Sequence, residues 1–241
     1  MMFIIILIAL LTERFFDWQP LRHWRWFQIY LHWFERIFNK WPPFCLFIFE
    51  VLPILLVAGF IVHLALSWLY GLPELIVGTV ILLYCLGPAN WWEEAYRTIP
   101  QKNNIEALFI AVNQRIFAVI FWFVLAGPVG AIFYRLVNLI SEKTERPESS
   151  IATALKKWLD WLPIRVLALF FALAGHFTDV FACIKEYFLS GVNTNDQFLS
   201  ACGMKALDLN EHALNVQVVS LVDRVFIMVL VLLAIIVLIM G

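Results

Sequence analysis

Charge is the scarcest commodity in this 241-residue chain: Asp, Glu, Lys and Arg together make 15%, against 63% apolar residues. A soluble domain carries about a quarter charged residues, so a water-soluble globular enzyme is excluded. Disorder is excluded as well, since aromatics reach 16% and a disordered chain is poor in them. No sign of charge dominates: the net charge is −1, which argues against a nucleic-acid partner. The four cysteines (Cys45, Cys85, Cys183, Cys202) are isolated, with no C-x-x-C pair. They read as packing residues, with neither disulfides nor zinc expected. There is no P-loop, no G-x-S-x-G and no H-E-x-x-H. No metal and no cofactor is expected.

What is present is length of apolar run. A membrane span takes about 20 apolar residues. Val225–Met240 is free of charge and is extended by Ser220–Val222; Asp223 and Arg224 stand at its mouth. Phe44–Tyr70 is a second span, in which Glu50 lies near one end and is expected to reach the interface. The turn Leu69-Tyr70-Gly71-Leu72-Pro73 leads to a shorter run, Leu75–Gly87, closed by Pro88; the two form a helical hairpin. Ile116–Tyr134 is a fourth, with a kink expected at Gly127-Pro128. There Ala126 and Gly130 form a small-xxx-small pair that suggests close packing on another span. Trp161–Phe188, with Arg165, His176, Asp179 and Lys185, either spans or lies in the interface. The N-terminal Met1–Leu11 run, extended through Phe16, reads as a short first span rather than a signal peptide.

Residues 22–41 follow another pattern. Arg22, Arg25, Gln28, His32, Glu35, Arg36, Asn39 and Lys40 recur every three or four positions. Trp24, Phe27, Leu31, Phe34, Phe38 and Trp41 line the opposite face, widened by Trp26, Tyr30, Trp33 and Ile37. This predicts an amphipathic helix in the plane of the bilayer surface. The fold expected is thus an all-α polytopic membrane protein, with four to six membrane helices plus this interfacial helix. No linker interrupts it, so 1–241 is expected to form a single membrane domain. Five Lys/Arg in residues 13–41 place that segment in the cytoplasm, whereas the six in residues 135–165 conflict with a single crossing between 116 and 134.

Chemistry is expected where polar residues interrupt apolar sequence, because charge in hydrocarbon costs several kcal/mol and so faces a bundle interior or a watery cavity. The candidate polar cluster is Glu13, Arg14, Asn113, Arg115, Arg135, Asp160, Arg165 and His176. Two readings stand: each charge marks a span end and snorkels, or Arg115, Arg135 and Arg165 converge with Asp160 on one pocket. Pro163 suggests a helix beginning near Leu162 or Pro163, with Asp160 capping it and Arg165 in its first turn. His176 and Asp179, at i and i+3, read as a polar helix end at the headgroups rather than a proton relay.

Five segments carry a resemblance: Leu11-Thr12-Glu13-Arg14-Phe15; Asn113-x-Arg115 ahead of Phe121-Trp122; Gly127-Pro128-x-Gly130-Ala131 through Tyr134-Arg135-Leu136; Leu159-Asp160-Trp161-x-Pro163-x-Arg165 with Gly175-His176; and Leu221-Val222-Asp223-Arg224. In order and spacing they resemble the AmpE family, inner-membrane proteins associated with control of chromosomal β-lactamase in Gram-negative bacteria. The resemblance implies a multi-pass inner-membrane regulator that responds to β-lactam or cell-wall stress. Its partners would be the lipid bilayer and either an anionic small molecule or other cell-envelope proteins. Gly127–Arg135 and Pro163-x-Arg165 are also similar to the CobD/CbiB family, which joins an aminopropanol unit to a corrin carboxyl group. That family's Pro-His-Pro-Val motif is replaced here by Gln19-Pro20-Leu21-Arg22-His23, and its Glu-Asn-x-x-Asp-Gly run falls roughly at Ala111–Arg115. A CbiB-like amide-forming enzyme is the alternative that this second resemblance implies, and fold analogy alone does not transfer activity.

Overall fold

The computed structural model describes residues 2–15, 24–38, 41–67, 72–87, 91–97, 102–143, 146, 148–187, 191–207 and 214–240. Among them are helices and no strand: α1 (Met2–Phe15), α2 (Arg25–Phe38), α3 (Pro43–Ser67), α4 (Leu72–Cys85), α5 (Trp91–Arg97), α6 (Lys102–Val112), a π-helical turn (Asn113–Phe117), α7 (Ala118–Ser141), α8 (Ser149–Ala174), α9 (Phe177–Tyr187), α10 (Asn195–Lys205) and α11 (Leu214–Met240). Three stretches are long and apolar enough to cross a membrane: 43–65, 104–141 and 215–239; Pro73–Cys85 is apolar but shorter. The chain is therefore an all-α membrane protein, and among the described residues three helices are long and apolar enough to span. The contacts group into two compact units, residues 1–88 with 119–156, and 89–118 with 157–241.

In the first unit α1 packs on α4, and α3 and α4 form the expected hairpin; the turn residues 68–71 lie outside the described residues. On α3 the residues Phe44, Ile48, Phe49, Leu52, Leu56, Val57, Phe60, Ile61 and Leu64 are exposed. An apolar face of that size has no place in water, and its width matches a lipid-facing helix. Glu50 departs from expectation. It is 1% exposed and lies 3.7 Å from Arg146, because an ion-pair partner from the 142–148 loop removes any need to reach the interface.

Helix α2 is shorter than the 22–41 pattern: residues 25–38 are helical, while 22, 23, 39 and 40 fall outside the described residues. Its stripe Phe27, Leu31 and Phe34 is buried, at i, i+4 and i+7. That stripe meets protein rather than lipid, since α2 lies on α3. Trp26 Nε1 donates to the Tyr84 hydroxyl at 2.6 Å, and the Tyr30 hydroxyl donates to the Phe49 carbonyl at 3.3 Å. Burial, and then the Glu50 charge, raise the Tyr30 pKa. Trp26, Trp33 and Ile37, the widening positions, stay exposed and are the residues left for a membrane surface.

The kink in α7 falls at Gly127, with φ 67° and ψ −163°. A residue before proline is driven out of the α region, and only glycine takes positive φ at no steric cost. The break also gives Ala126 and Gly130 a role within their own helix. A Cβ on Gly130 would lie 2.6 Å from Ala126 Cβ and from the Trp122 carbonyl oxygen, so the small pair lets the helix fold past its own preceding turn.

In the second unit α5 and α6 pack on α11, and α10 packs on α6 and α9. Trp91 is fully buried and donates to the Leu108 carbonyl at 3.1 Å, which anchors α5. The first half of α11 buries Val218, Val219, Leu221, Val222, Val225 and Phe226, while Val231, Leu232 and Ile235–Ile239 are exposed. One helix thus serves as protein core at its start and as a membrane segment at its end. The apolar stretch 161–188 is not one element: α8 ends at Ala174, and α9 starts at Phe177. Nor does a helix begin at Pro163. That proline lies inside α8, which starts at Ser149, so Asp160 is mid-helix and is not a cap. Neighbouring packing tolerates the lost backbone bond of an internal proline, which in an isolated helix costs about 3 kcal/mol.

Candidate functional site

The second unit gathers a set of buried polar side chains. The π-helical turn at 113–117 follows α6 within this unit, and such turns insert one extra residue and re-aim the side chains around it. Asn113, 1% exposed, is re-aimed so that its Nδ2 donates to Asp160 Oδ1 of α8 at 3.2 Å. Its own Oδ1 is buried without a hydrogen-bond partner among the described residues. Two residues on, Arg115 donates to Glu94 of α5, and Arg97 pairs with Glu93 at 2.6 Å within α5.

Arg165, five residues beyond Asp160, is 2% exposed. Its Nη1 donates to the Trp161 carbonyl at 2.9 Å and to Asn195 Oδ1 at 3.2 Å. The guanidinium carbon stands 4.1 Å from the Trp161 ring centroid and 5.4 Å from that of Phe198. Burial lowers the Arg165 pKa, and a guanidinium starts so high that it stays charged. A buried cation is retained only where hydrogen bonds and ring faces replace its water, and these contacts supply that. Asn195, at the start of α10, turns its Nδ2 to the Lys157 carbonyl at 2.8 Å and so ties α10 to α8.

At the break between α8 and α9, Gly175 approaches the Ala206 carbonyl so closely that a Cβ would lie 2.5 Å from it. His176 then projects beside a cleft of about 450 Å³, lined also by Gln217, Ser220 and Arg224 of α11. Arg224 donates to the Ala174 carbonyl at 3.4 Å, and its neighbour Asp223 accepts from Trp92 Nε1 at 2.8 Å. His176 and Asp179 are both exposed. The Cys202 thiol donates to Cys183 Sγ at 3.0 Å; both side chains are fully buried. Burial first, then this bond and the Cys183 charge, push the Cys202 pKa well up, which suits inert packing thiols.

Of the residues expected to cluster, Asn113 meets Asp160, Arg115 goes to Glu94, Arg165 goes to Asn195, and His176 lines the cleft. Glu13, Arg14 and Arg135 belong to the first unit, where Glu13 and Arg135 are buried. That unit has its own ionic hub. Arg146 reaches Glu35 at 3.2 Å, Glu148 at 3.2 Å and the buried Glu50. The sequence reading missed Glu94, Asn195, Arg146 and the cleft-lining residues of α11. Asn195 sits in a polar stretch with no helical period, and Arg146 in a hydrophilic loop, so neither differs from a solvated residue until the fold is known.

An α-helical membrane protein whose second unit is threaded by buried, mutually hydrogen-bonded polar groups is the class this geometry defines. Residues 100–241 match the family described as "Regulatory signalling modulator protein AmpE", and the chain belongs to that family. It is also 30% identical over 115 residues to "Cobalamin biosynthesis protein CobD" of Chromobacterium violaceum, an alignment covering 45% of this chain and 37% of that protein. The chain thus spans little more than a third of the length of that curated relative. No solved structure matches it.

Proposed function

We propose that this is a multi-pass inner-membrane regulator that helps couple β-lactam or cell-wall stress to β-lactamase expression. The observation that carries the reading is the family match over residues 100–241, which contains the whole Asn113–Asp160 and Arg165–Asn195 network. A network of this kind holds α8, α10 and the π-helical turn in one arrangement, and a regulator needs an element whose arrangement an input can bias. Other cell-envelope proteins or an anionic small molecule would supply the input. The test is deletion followed by complementation, read as β-lactamase induction by a β-lactam. Deletion alters induction; wild type restores it; Arg165→Ala fails to restore it at normal membrane abundance. Full restoration by Arg165→Ala at normal abundance would refute the network's role, and unaltered induction on deletion would refute the regulatory reading.

A second reading, a membrane enzyme forming an amide on a carboxylated substrate, is favoured by the identity to CobD. It requires substrate-dependent amide formation by the detergent-purified chain, and an absence of turnover alongside an altered induction phenotype decides for the regulator.

A further inference from the structure

The cleft beside His176 holds donors that the fold itself does not use. Arg224 offers five N–H groups and spends one, at 3.4 Å, on the Ala174 carbonyl. The Ser220 hydroxyl and the His176 ring make no hydrogen bond within the described residues and both line the same cleft, which has no acidic residue among its lining side chains. Gly175 keeps the floor open: the 2.5 Å approach to the Ala206 carbonyl leaves no room for a side chain. Among the described residues, cationic and neutral donors line one concavity with no carboxylate among its lining side chains, an arrangement complementary to an oxyanion.

The helix that carries Arg224 points to the source of that oxyanion. Beyond Arg224, α11 continues for Val225–Met240, a length of about 24 Å at 1.5 Å per residue, uncharged and exposed along its end. Asp223 and Arg224 are the only charges in the 215–239 stretch, and a charge there favours the headgroup level, where lipid phosphates lie, over hydrocarbon. Exposed apolar residues flank the donors on their own elements: Leu173 before the break, Phe177 after it, and Ile227 three positions past Arg224 on the same helix face. A soluble anion has no use for exposed apolar neighbours of this kind, whereas acyl chains do.

We propose that the cleft lined by His176, Ser220 and Arg224 binds the phosphate of an anionic membrane lipid, with the acyl chains along Leu173, Phe177 and Ile227. The site lies apart from the Arg165–Asn195 network and does not depend on the regulatory reading. The test uses the full chain in neutral detergent, titrated with dioctanoyl phosphatidylglycerol, dioctanoyl phosphatidylcholine or inorganic phosphate, with native mass spectrometry counting bound molecules. Wild type retains one phosphatidylglycerol about tenfold more tightly than phosphatidylcholine, whose phosphate is the same but whose trimethylammonium group offsets the headgroup charge and is repelled by Arg224. Arg224→Gln removes that preference, and inorganic phosphate does not displace the lipid. Equal retention of the two lipids, or an unchanged preference in folded Arg224→Gln, overturns the proposal. Displacement by inorganic phosphate overturns the lipid assignment in favour of a soluble oxyanion. Should Arg224→Gln fail to fold, Ser220→Val and His176→Gln decide, since each leaves Arg224 in place: a weakened preference in at least one supports the site, and an unchanged preference in both overturns it.

Discussion

The bond from Asn113 to Asp160 is the place to measure what the buried network contributes. A hydrogen bond to a charged group contributes about 1.5–3 kcal/mol net, and both side chains are almost fully buried, so solvent screening does not reduce it. The two alanine variants should nevertheless differ. Asn113→Ala removes a donor to the carboxylate but also removes the Oδ1 that is buried without a partner, which returns about 1–3 kcal/mol of desolvation cost. Its net effect is therefore small, between about −1.5 and +2 kcal/mol by the difference of those two terms. Asp160→Ala gains no such relief: it leaves the Asn113 amide with neither end satisfied and costs about 3 kcal/mol or more. In a double-mutant cycle the pair should show a coupling energy of about 1.5–3 kcal/mol. The assay is reversible unfolding of the detergent-purified chain in denaturant, with tryptophan fluorescence as the probe. Two results would refute the reasoning: a coupling below about 0.5 kcal/mol, which is the scatter of independent sites, or Asn113→Ala costing as much as Asp160→Ala.

The kink in α7 supplies two further tests. Gly127→Ala places a Cβ at φ 67° and should cost about 1–2 kcal/mol through backbone strain alone, because nothing stands within 4 Å of that position; the same substitution at Gly59, which lies in regular helix α3, is the control. Gly130→Leu should abolish folded yield in size-exclusion chromatography, because its Cβ would meet the Trp122 carbonyl at 2.6 Å and backbone cannot move aside as a side chain does. Cys202 gives a pH prediction. Its pKa is raised on folding, so its contribution is complete below the unfolded thiol pKa of about 8.5 and is lost as pH rises from there toward the folded value. Stability should fall above that pH by at most about 1.4 kcal/mol per unit from this group, and Cys202→Ala should flatten the decline in a thermal-melt series.

The sequence by itself determined the solvent and the elements. Scarce charge and apolar runs of span length dictate a helical membrane protein, because backbone groups in hydrocarbon must bond within their own segment. The kink at Gly127-Pro128 and the hairpin of α3 and α4 follow from local steric rules, and the phases of α2 follow from a period of 3.6. Partners across the chain were another matter. Pro163 reads as a helix start on local propensity, yet it lies deep inside α8, since tertiary packing holds a helix together through one missing bond. Glu50 reads as a snorkelling residue until Arg146, nearly a hundred positions away, is placed beside it. That Gly130 also closes on Trp122 of its own helix shows only once the positive φ of Gly127 is in place. A buried charge is stable only with a specific partner at a specific distance, and the pairing of Arg115 with Glu94, Arg165 with Asn195 and Arg224 with the open cleft depends on how α5, α8, α10 and α11 pack. Periodicity carries no record of that packing, so these choices belong to the tertiary structure alone.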